Sequence, residues 1–313
     1  MKKQKTNNGK FLITIAGPTA VGKTDLTLQL AKKYNAHIFS ADSRQLYKEL
    51  TIGTAKPSES ELDDVTHHFI NHISIHEPYN VSRYEEDIDA LFKSYFIAKD
   101  IGILTGGTGM YIKAALEGLD QFPEVDAQVT QEYQDLFDLK GIEVLQKEIK
   151  EKDPTYAAQV DMSNSRRLIR ALSVIRSSGQ PYSSFLGRKK EKSHPFEIIK
   201  ICLMRDREEL YERINNRVDQ MVQNGLIEEA KSVWEHKELK SLQTVGYSEL
   251  FQFFDGKLSK DEAIELIKRN SRRYAKRQMT WFRNQGEWHY IDASKTEDII
   301  EFIARKMESV SEK

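Results

Sequence analysis

The chain has 313 residues, of which 47 are basic and 48 acidic for a formal net charge of −1, with 39% apolar and 30% charged side chains. That describes a globular protein of about two domains, with no apolar run near the ~20 residues of a membrane span. The single cysteine, Cys202, excludes an internal disulfide and any cysteine zinc cluster.

The N-terminus, residues 1–10, is basic and polar, and no signal-peptide segment follows it, so the expectation is a cytoplasmic protein with a frayed start. Residues 11–15 form a short β-rich apolar run. Gly17, Pro18, Thr19, Ala20, Val21, Gly22, Lys23 and Thr24 then fit the phosphate-binding pattern G-x-x-x-x-G-K-[ST]. Residues 25–33 read as a helix with Leu26, Leu28, Leu30 and Ala31 as its apolar set. A strand, a glycine turn and a helix N-terminus point successive N–H groups at one spot, and the helix dipole adds roughly half a positive charge there. Lys23 can reach outer phosphates and the Thr24 hydroxyl can hold a magnesium ion. The motif says that phosphates bind, not whose.

A second strand, 37–42, ends on the carboxylate of Asp42, and a polar turn runs through Ser43, Arg44 and Gln45 to residues 52–57. A third strand is expected at 69–73, a helix at 82–99 with Tyr84, Ile88, Leu91, Phe92 and Tyr95 on one stripe, and a buried strand at 101–105. That strand runs into Gly106, Gly107, Thr108 and Gly109. The alternation implies a parallel sheet with helices on both faces. Ligands of such a sheet sit beyond the carboxyl ends of its strands, so the P-loop, Asp42 and Thr108 should converge there. Asp42 can hold magnesium, act as a general base, or simply cap its turn.

From 124 to 178 the pattern is helical, and a basic stretch at 187–192 closes this insertion. Strands return at 196–203 and 288–292. Arg205, Arg213 and Arg217 follow the first of these; they either clamp leaving phosphates or lie on a solvated helix face. Between Lys268 and Arg283 there are seven basic residues and no acid. On a helical projection Arg269, Arg272, Arg273, Lys276, Arg277 and Arg283 share an arc opposite Ile264, Ile267, Tyr274 and Trp281. A second basic group, Arg166, Arg167, Arg170 and Arg176, lies in the insertion. Two such patches favour a phosphodiester backbone as partner despite the balanced net charge. His67, His68, His72 and His76 are too loosely spaced, without a completing cysteine or carboxylate, to read as a metal site.

These segments together resemble the bacterial tRNA dimethylallyltransferases. The resembling stretches are GPTAVGKT (17–24), DSRQLY (42–47), IGTAKP (52–57), GGTGMYIKA (106–114), SRRLIRAL (165–172), RVDQMVQNGL (217–226), TVGYSE (244–249) and YAKRQMTWFR (274–283), in order over nearly the whole chain. The resemblance implies an α/β, P-loop NTPase-like fold: core residues 1–120 and 196–313, with a helical insertion at 121–195 that closes over the anticodon loop. It implies that the P-loop holds the diphosphate of dimethylallyl diphosphate, with Mg²⁺ at Thr24. Asp42 would be the general base at N6 of the adenosine 3′ to the anticodon, and Thr108 and Arg217 would bind the departing diphosphate. Contacts to the tRNA anticodon stem-loop would come from Asp42, Ser43, Arg44, Gln45, Arg166, Arg167, Arg170, Gly246, Tyr247, Lys276, Arg277, Gln278, Trp281 and Arg283. Tyr47, Tyr111 and Trp281 are candidates to stack on the extruded base. A cytoplasmic monomer with no membrane partner is expected. The rival readings are a small-molecule P-loop kinase, a non-catalytic RNA-binding protein, and a prenyltransferase of free adenine nucleotides; the basic ridge opposes the first and the last.

Overall fold

The computed structural model describes residues 9–188 and 192–311. Residues 1–8 of the basic N-terminus and 189–191 of the basic 187–192 stretch lie outside them. The chain forms two compact units, Met1–Leu116 with Ser193–Lys313, and Glu117–Lys192.

In the first unit the order is β1 (Phe11–Ala16), α1 (Lys23–Tyr34), β2 (Ile38–Ser40), α2 (Glu59–Asp64), β3 (His67–His68), α3 (Val81–Ala98), β4 (Ile101–Gly106) and α4 (Gly109–Glu117). The second unit carries α5 (Ala127–Lys140), α6 (Ile142–Lys152), α7 (Pro154–Ala157) and α8 (Ser165–Ser178). The first unit then resumes with β5 (Glu197–Met204), α9 (Arg207–Gln223), α10 (Leu226–Ser232), α11 (Tyr247–Phe254), α12 (Lys260–Asn284), β6 (His289–Asp292) and α13 (Thr296–Ser311). Among the described residues no helix is long and apolar enough to cross a membrane.

The sheet order is β3-β2-β4-β1-β5-β6, and every pairing is parallel. All six residues of β1 are buried, as a strand covered on both faces requires. The chain leaves β1 towards β2 on one side and later returns to β5 on the other. The carboxyl ends of β1, β2, β4 and β5 therefore open onto one crevice.

The third strand differs from expectation. It is His67–His68, and the 69–73 segment is not extended, because Phe69 (φ 64°) and Asn71 (φ 52°) adopt left-handed conformations. Ile73 keeps only an isolated bridge to Tyr47. Phe69 is apolar because it is buried against the Tyr84 ring, not because it lies in a strand. Two of the histidines serve this edge: His68 stacks on Phe39 and its Nε2 meets His37 Nδ1 at 3.0 Å. The His67 ring bonds the Val65 carbonyl.

The second unit has its own core of Tyr133, Leu145, Ile149, Leu168, Ile169 and Leu172. α8 buries that apolar stripe, and Asn164 caps its N-terminus through the Arg167 N–H. Arg166, Arg167 and Arg170 are left exposed.

Candidate functional site

The P-loop curls where glycine is needed: Gly22 has φ 108°, and a Cβ on Gly17 (φ 148°) would lie 2.9 Å from the Leu203 carbonyl oxygen. Lys23 Nζ donates to the carbonyls of Gly17 (2.9 Å) and Pro18 (2.8 Å), so the ammonium is held over the loop. Burial pushes its pKa down to about 8, against the opposing charge of Asp42 and with the like charge of Arg217.

Beyond β2, Asp42 closes a tight turn. Its Oδ1 accepts the N–H groups of Arg44 (2.8 Å) and Gln45 (3.4 Å). From beyond β4, Thr108 Oγ1 accepts the Ser43 N–H at 3.1 Å and donates to Ser43 Oγ at 3.3 Å. The expected convergence of P-loop, Asp42 and Thr108 is thus real geometry. From α9, Arg217 lines the same space. Burial lowers its pKa, while the charge of Asp42 acts in the opposite sense.

Arg205 and Arg213 have a different position. Arg205 Nε donates to the Val21 carbonyl (2.9 Å), and its guanidinium pairs with Glu209. Arg213 Nε donates to the Ala20 carbonyl at 2.9 Å. Both brace the P-loop, and Arg213 also borders the space that Arg217 lines.

Two cavities meet at Asp42. One, of about 910 Å³, is polar and adjoins the P-loop; Lys23, Lys56, Arg213 and Arg217 line it alongside Asp25, Asp42, Glu59 and Glu61, with Thr24. The other, of about 470 Å³, has an apolar wall of Ile214, Val218, Met221, Leu226, Val245 and Ile267, with Ser43, Thr108, Thr244 and Ser271 as polar groups. Thr19, Asp42, Thr54, Arg217, Met221 and Tyr274 border both. Thr24 is exposed and lines the larger cavity with Asp42. A hydroxyl and a carboxylate are hard oxygen donors that suit Mg²⁺, which keeps several waters and takes its remaining ligands from phosphates. Among the described residues no group of three or more His, Cys, Asp or Glu is placed to hold a metal ion.

Several residues expected at the RNA surface make contacts within the protein, while Arg44 and Gln45 also border the cavities. Gln278 is buried; its Oε1 accepts the Thr19 N–H at 3.0 Å and its Nε2 donates to the Gly107 carbonyl at 3.0 Å. It therefore ties the P-loop to the glycine turn. Tyr247 is fully buried, with its hydroxyl on Glu229 Oε1 at 2.5 Å. Arg44 donates to the Ser241 carbonyl at 2.9 Å. Gln45 Nε2 donates to the carbonyls of Thr54 (3.3 Å) and Ala55 (3.1 Å). Tyr47 and Tyr111 are buried, the latter stacked on Tyr84, so neither offers a face to a base. The Trp281 ring lies where a Gly109 Cβ would be, and a Gly107 Cβ would collide with Gln278 Nε2. The glycine motif exists so that α12 can approach, in addition to any service to phosphates.

On α12, Lys268 pairs with Asp219 and Glu265, and Arg272 Nη1 bonds Asn215 Oδ1 at 2.6 Å. Arg269, Arg273, Lys276, Arg277 and Arg283 remain exposed, and Arg277 borders the smaller cavity. Gly246 borders it too.

The residue that sequence reasoning misses is Tyr274. Helical periodicity groups it with the apolar face of α12, yet it stands at the junction of both cavities. Burial first, then the charge of Asp42, pushes its phenol up to about 12. The available signal is a hydroxyl one helical turn before Gln278 on an otherwise apolar stripe.

Known proteins share this chain's sequence and fold. Residues 45–285 match the family model described as IPP transferase. The chain is 48% identical over 299 residues to the tRNA dimethylallyltransferase of Christiangramia forsetii, covering 95% of this chain and 98% of that protein. The crystal structure of the full-length tRNA isopentenylpyrophosphate transferase from Bacillus halodurans superposes with a TM-score of 0.71 at 36% identity, covering 97% of this chain and 98% of that one. A eukaryotic dimethylallyltransferase solved acting on tRNA gives a TM-score of 0.75 at 28% identity, over 91% of this chain and 74% of the other. The chain belongs to the IPP transferase family.

Proposed function

We propose that the protein transfers a dimethylallyl group from dimethylallyl diphosphate to N6 of the adenosine 3′-adjacent to the anticodon in tRNA, releasing diphosphate. The observation that carries this is the meeting, at Asp42 and Arg217, of a polar cavity that holds the P-loop and Lys23 with an apolar-walled one. A donor with a charged tail and a hydrocarbon head needs both environments side by side.

The diphosphate lies on the P-loop N–H groups, Lys23 and Arg217, with Thr108 beside it. The allylic carbon faces Asp42 and the apolar wall. The adenine enters from the side bordered by Arg277 and Gly246. As the C–N bond forms, the allylic C–O bond breaks and its electron pair leaves with the diphosphate. The N6 proton, more acidic as that nitrogen is alkylated, passes to the Asp42 carboxylate. The negative charge that grows on the leaving oxygens meets donors already in place. The Thr24 hydroxyl would hold a Mg²⁺ ion, which would supply neutralisation of part of the phosphate charge.

The adenosine is flipped out of its loop, at a cost of a few kcal/mol that basic contacts offset. Exposed Arg273, Lys276 and Arg283 on α12 supply such contacts, as do Arg166, Arg167 and Arg170 of the second unit. Tyr274 is the aromatic group best placed to meet the extruded base. The protein acts as a monomer in the cytoplasm. The test is incubation with labelled dimethylallyl diphosphate and undermodified tRNA. Label on the RNA supports the proposal; ATP-dependent phosphorylation of a metabolite without RNA, and no label on tRNA, refutes it.

A further inference from the structure

A loop, residues 51–57, walls both cavities: Gly53 and Thr54 border the apolar-walled one, and Thr54, Ala55 and Lys56 the larger one at the P-loop. It is clamped from two sides. On one, Gln45, from the turn closed by Asp42, holds its carbonyls. On the other stands Glu229 of α10. Glu229 Oε2 accepts the N–H groups of Thr51 and Ile52, both at 2.8 Å, and Oε1 accepts the Gly53 N–H at 2.9 Å and the Tyr247 hydroxyl at 2.5 Å.

An acid on a short surface helix ordinarily points to water. Here one carboxylate collects three consecutive main-chain donors and a buried phenol, charge-assisted bonds that are about twice as strong as neutral ones. Gly53 packs directly on the Tyr247 ring, where a Cβ would lie 2.6 Å from the hydroxyl oxygen. The contact leaves no room for the loop to slide toward α11.

We propose that Glu229 is a positioning residue of the transfer reaction: by gripping the 51–53 backbone against Tyr247 it fixes the wall against which the prenyl donor is registered to Asp42. This rests on the reaction proposed above. Glu229 touches neither substrate; it acts through Gly53 and Thr54. Its removal therefore lets the donor drift from the base, which slows the chemical step, and leaves the RNA-binding surface as it was. A 1 Å misplacement of a reacting group is enough to slow chemistry about a hundredfold.

The experiment is steady-state kinetics of prenyl transfer to tRNA for wild type, Glu229→Ala and Glu229→Gln, each assayed well below its own Tm. The expected result is a kcat at least tenfold lower for Glu229→Ala, with KM for tRNA unchanged within twofold. Glu229→Gln should recover kcat in part, to between Glu229→Ala and wild type, because its amide oxygen still accepts the Thr51 and Ile52 N–H groups while its NH₂ faces the tyrosine oxygen and forfeits the Gly53 N–H. Unchanged kcat in Glu229→Ala, equal damage in the Ala and Gln variants, or a parallel loss in tRNA KM overturns the proposal. If Glu229→Ala does not fold, Glu229→Gln combined with Tyr247→Phe replaces it. The amide NH₂ then has no acceptor and kcat should fall tenfold; a double variant as active as wild type overturns the proposal. Wild type that transfers no prenyl group would sink the underlying reaction instead, so the two failures are separable.

Discussion

Replacing Gln278 with leucine separates two accounts of the YAKRQMTWFR segment. In the structure the side chain is buried, with one hydrogen bond to the Thr19 N–H and one to the Gly107 carbonyl, both 3.0 Å. Gln278→Leu keeps the volume and deletes both bonds. Each neutral hydrogen bond contributes about 1 kcal/mol net, so the loss is about 2 kcal/mol, and more if Gly107 stays unpaired. At ~1.5 °C per kcal/mol for a chain of this size, Tm should fall by ~3 °C. Because Thr19 belongs to the P-loop, affinity for dimethylallyl diphosphate should drop about tenfold, while affinity for tRNA changes less than twofold. Calorimetry of unfolding, donor titration and a tRNA filter-binding assay read the three quantities. Weakened tRNA binding with donor affinity and Tm intact would refute the structural role and restore the residue to the RNA surface.

Three further outcomes follow from the same geometry. Lys23 has its pKa lowered to about 8 by burial; a bound diphosphate favours the charged form, so donor affinity should be flat below pH 8 and fall about tenfold per unit above it. Calorimetry at pH 8.5 in buffers of different ionisation enthalpy should show proton uptake on binding, and none would contradict the assignment. Arg217→Gln should slow single-turnover transfer by ~10²–10³, as removing a donor to developing negative charge does; an unchanged rate would place the guanidinium outside the reaction. Neutralising Arg273 and Lys276 should reduce the steepness of the tRNA-binding salt dependence by ~0.7 for each phosphate that these side chains neutralise, and an unaltered slope would remove the α12 ridge from the interface.

What the chain discloses on inspection is what depends on neighbours in sequence. The P-loop needs a strand, glycines with positive φ and a helix start within a few residues, and all are adjacent. The strand-end position of Asp42 and the basic arc of α12 are likewise local patterns. What stays hidden depends on partners far along the chain. Gly107 and Gly109 read only as part of a glycine turn after a strand, yet their missing Cβ atoms make room for Gln278 and Trp281. Arg44 and Gln45 look like free polar side chains because nothing nearby claims them; the carbonyls of Ser241 and Ala55 also hold them, while both border the cavities. Phe69 looks like strand because burial and strand share one apolar signal, and only the backbone angle distinguishes them. Glu229 on a charged helix face gives no hint that three main-chain N–H groups await it.

The most direct measurement is the single-turnover rate of prenyl transfer by Asp42→Asn, taken alongside its affinity for tRNA and donor. Asparagine keeps an Oδ1 to accept the Arg44 and Gln45 N–H groups, so the turn survives and only the proton acceptor is removed. The rate should fall by ~10²–10⁴ with both affinities within about twofold of wild type. Transfer at the wild-type rate, or tRNA binding that disappears in step with activity, would contradict the assignment of Asp42 as the base.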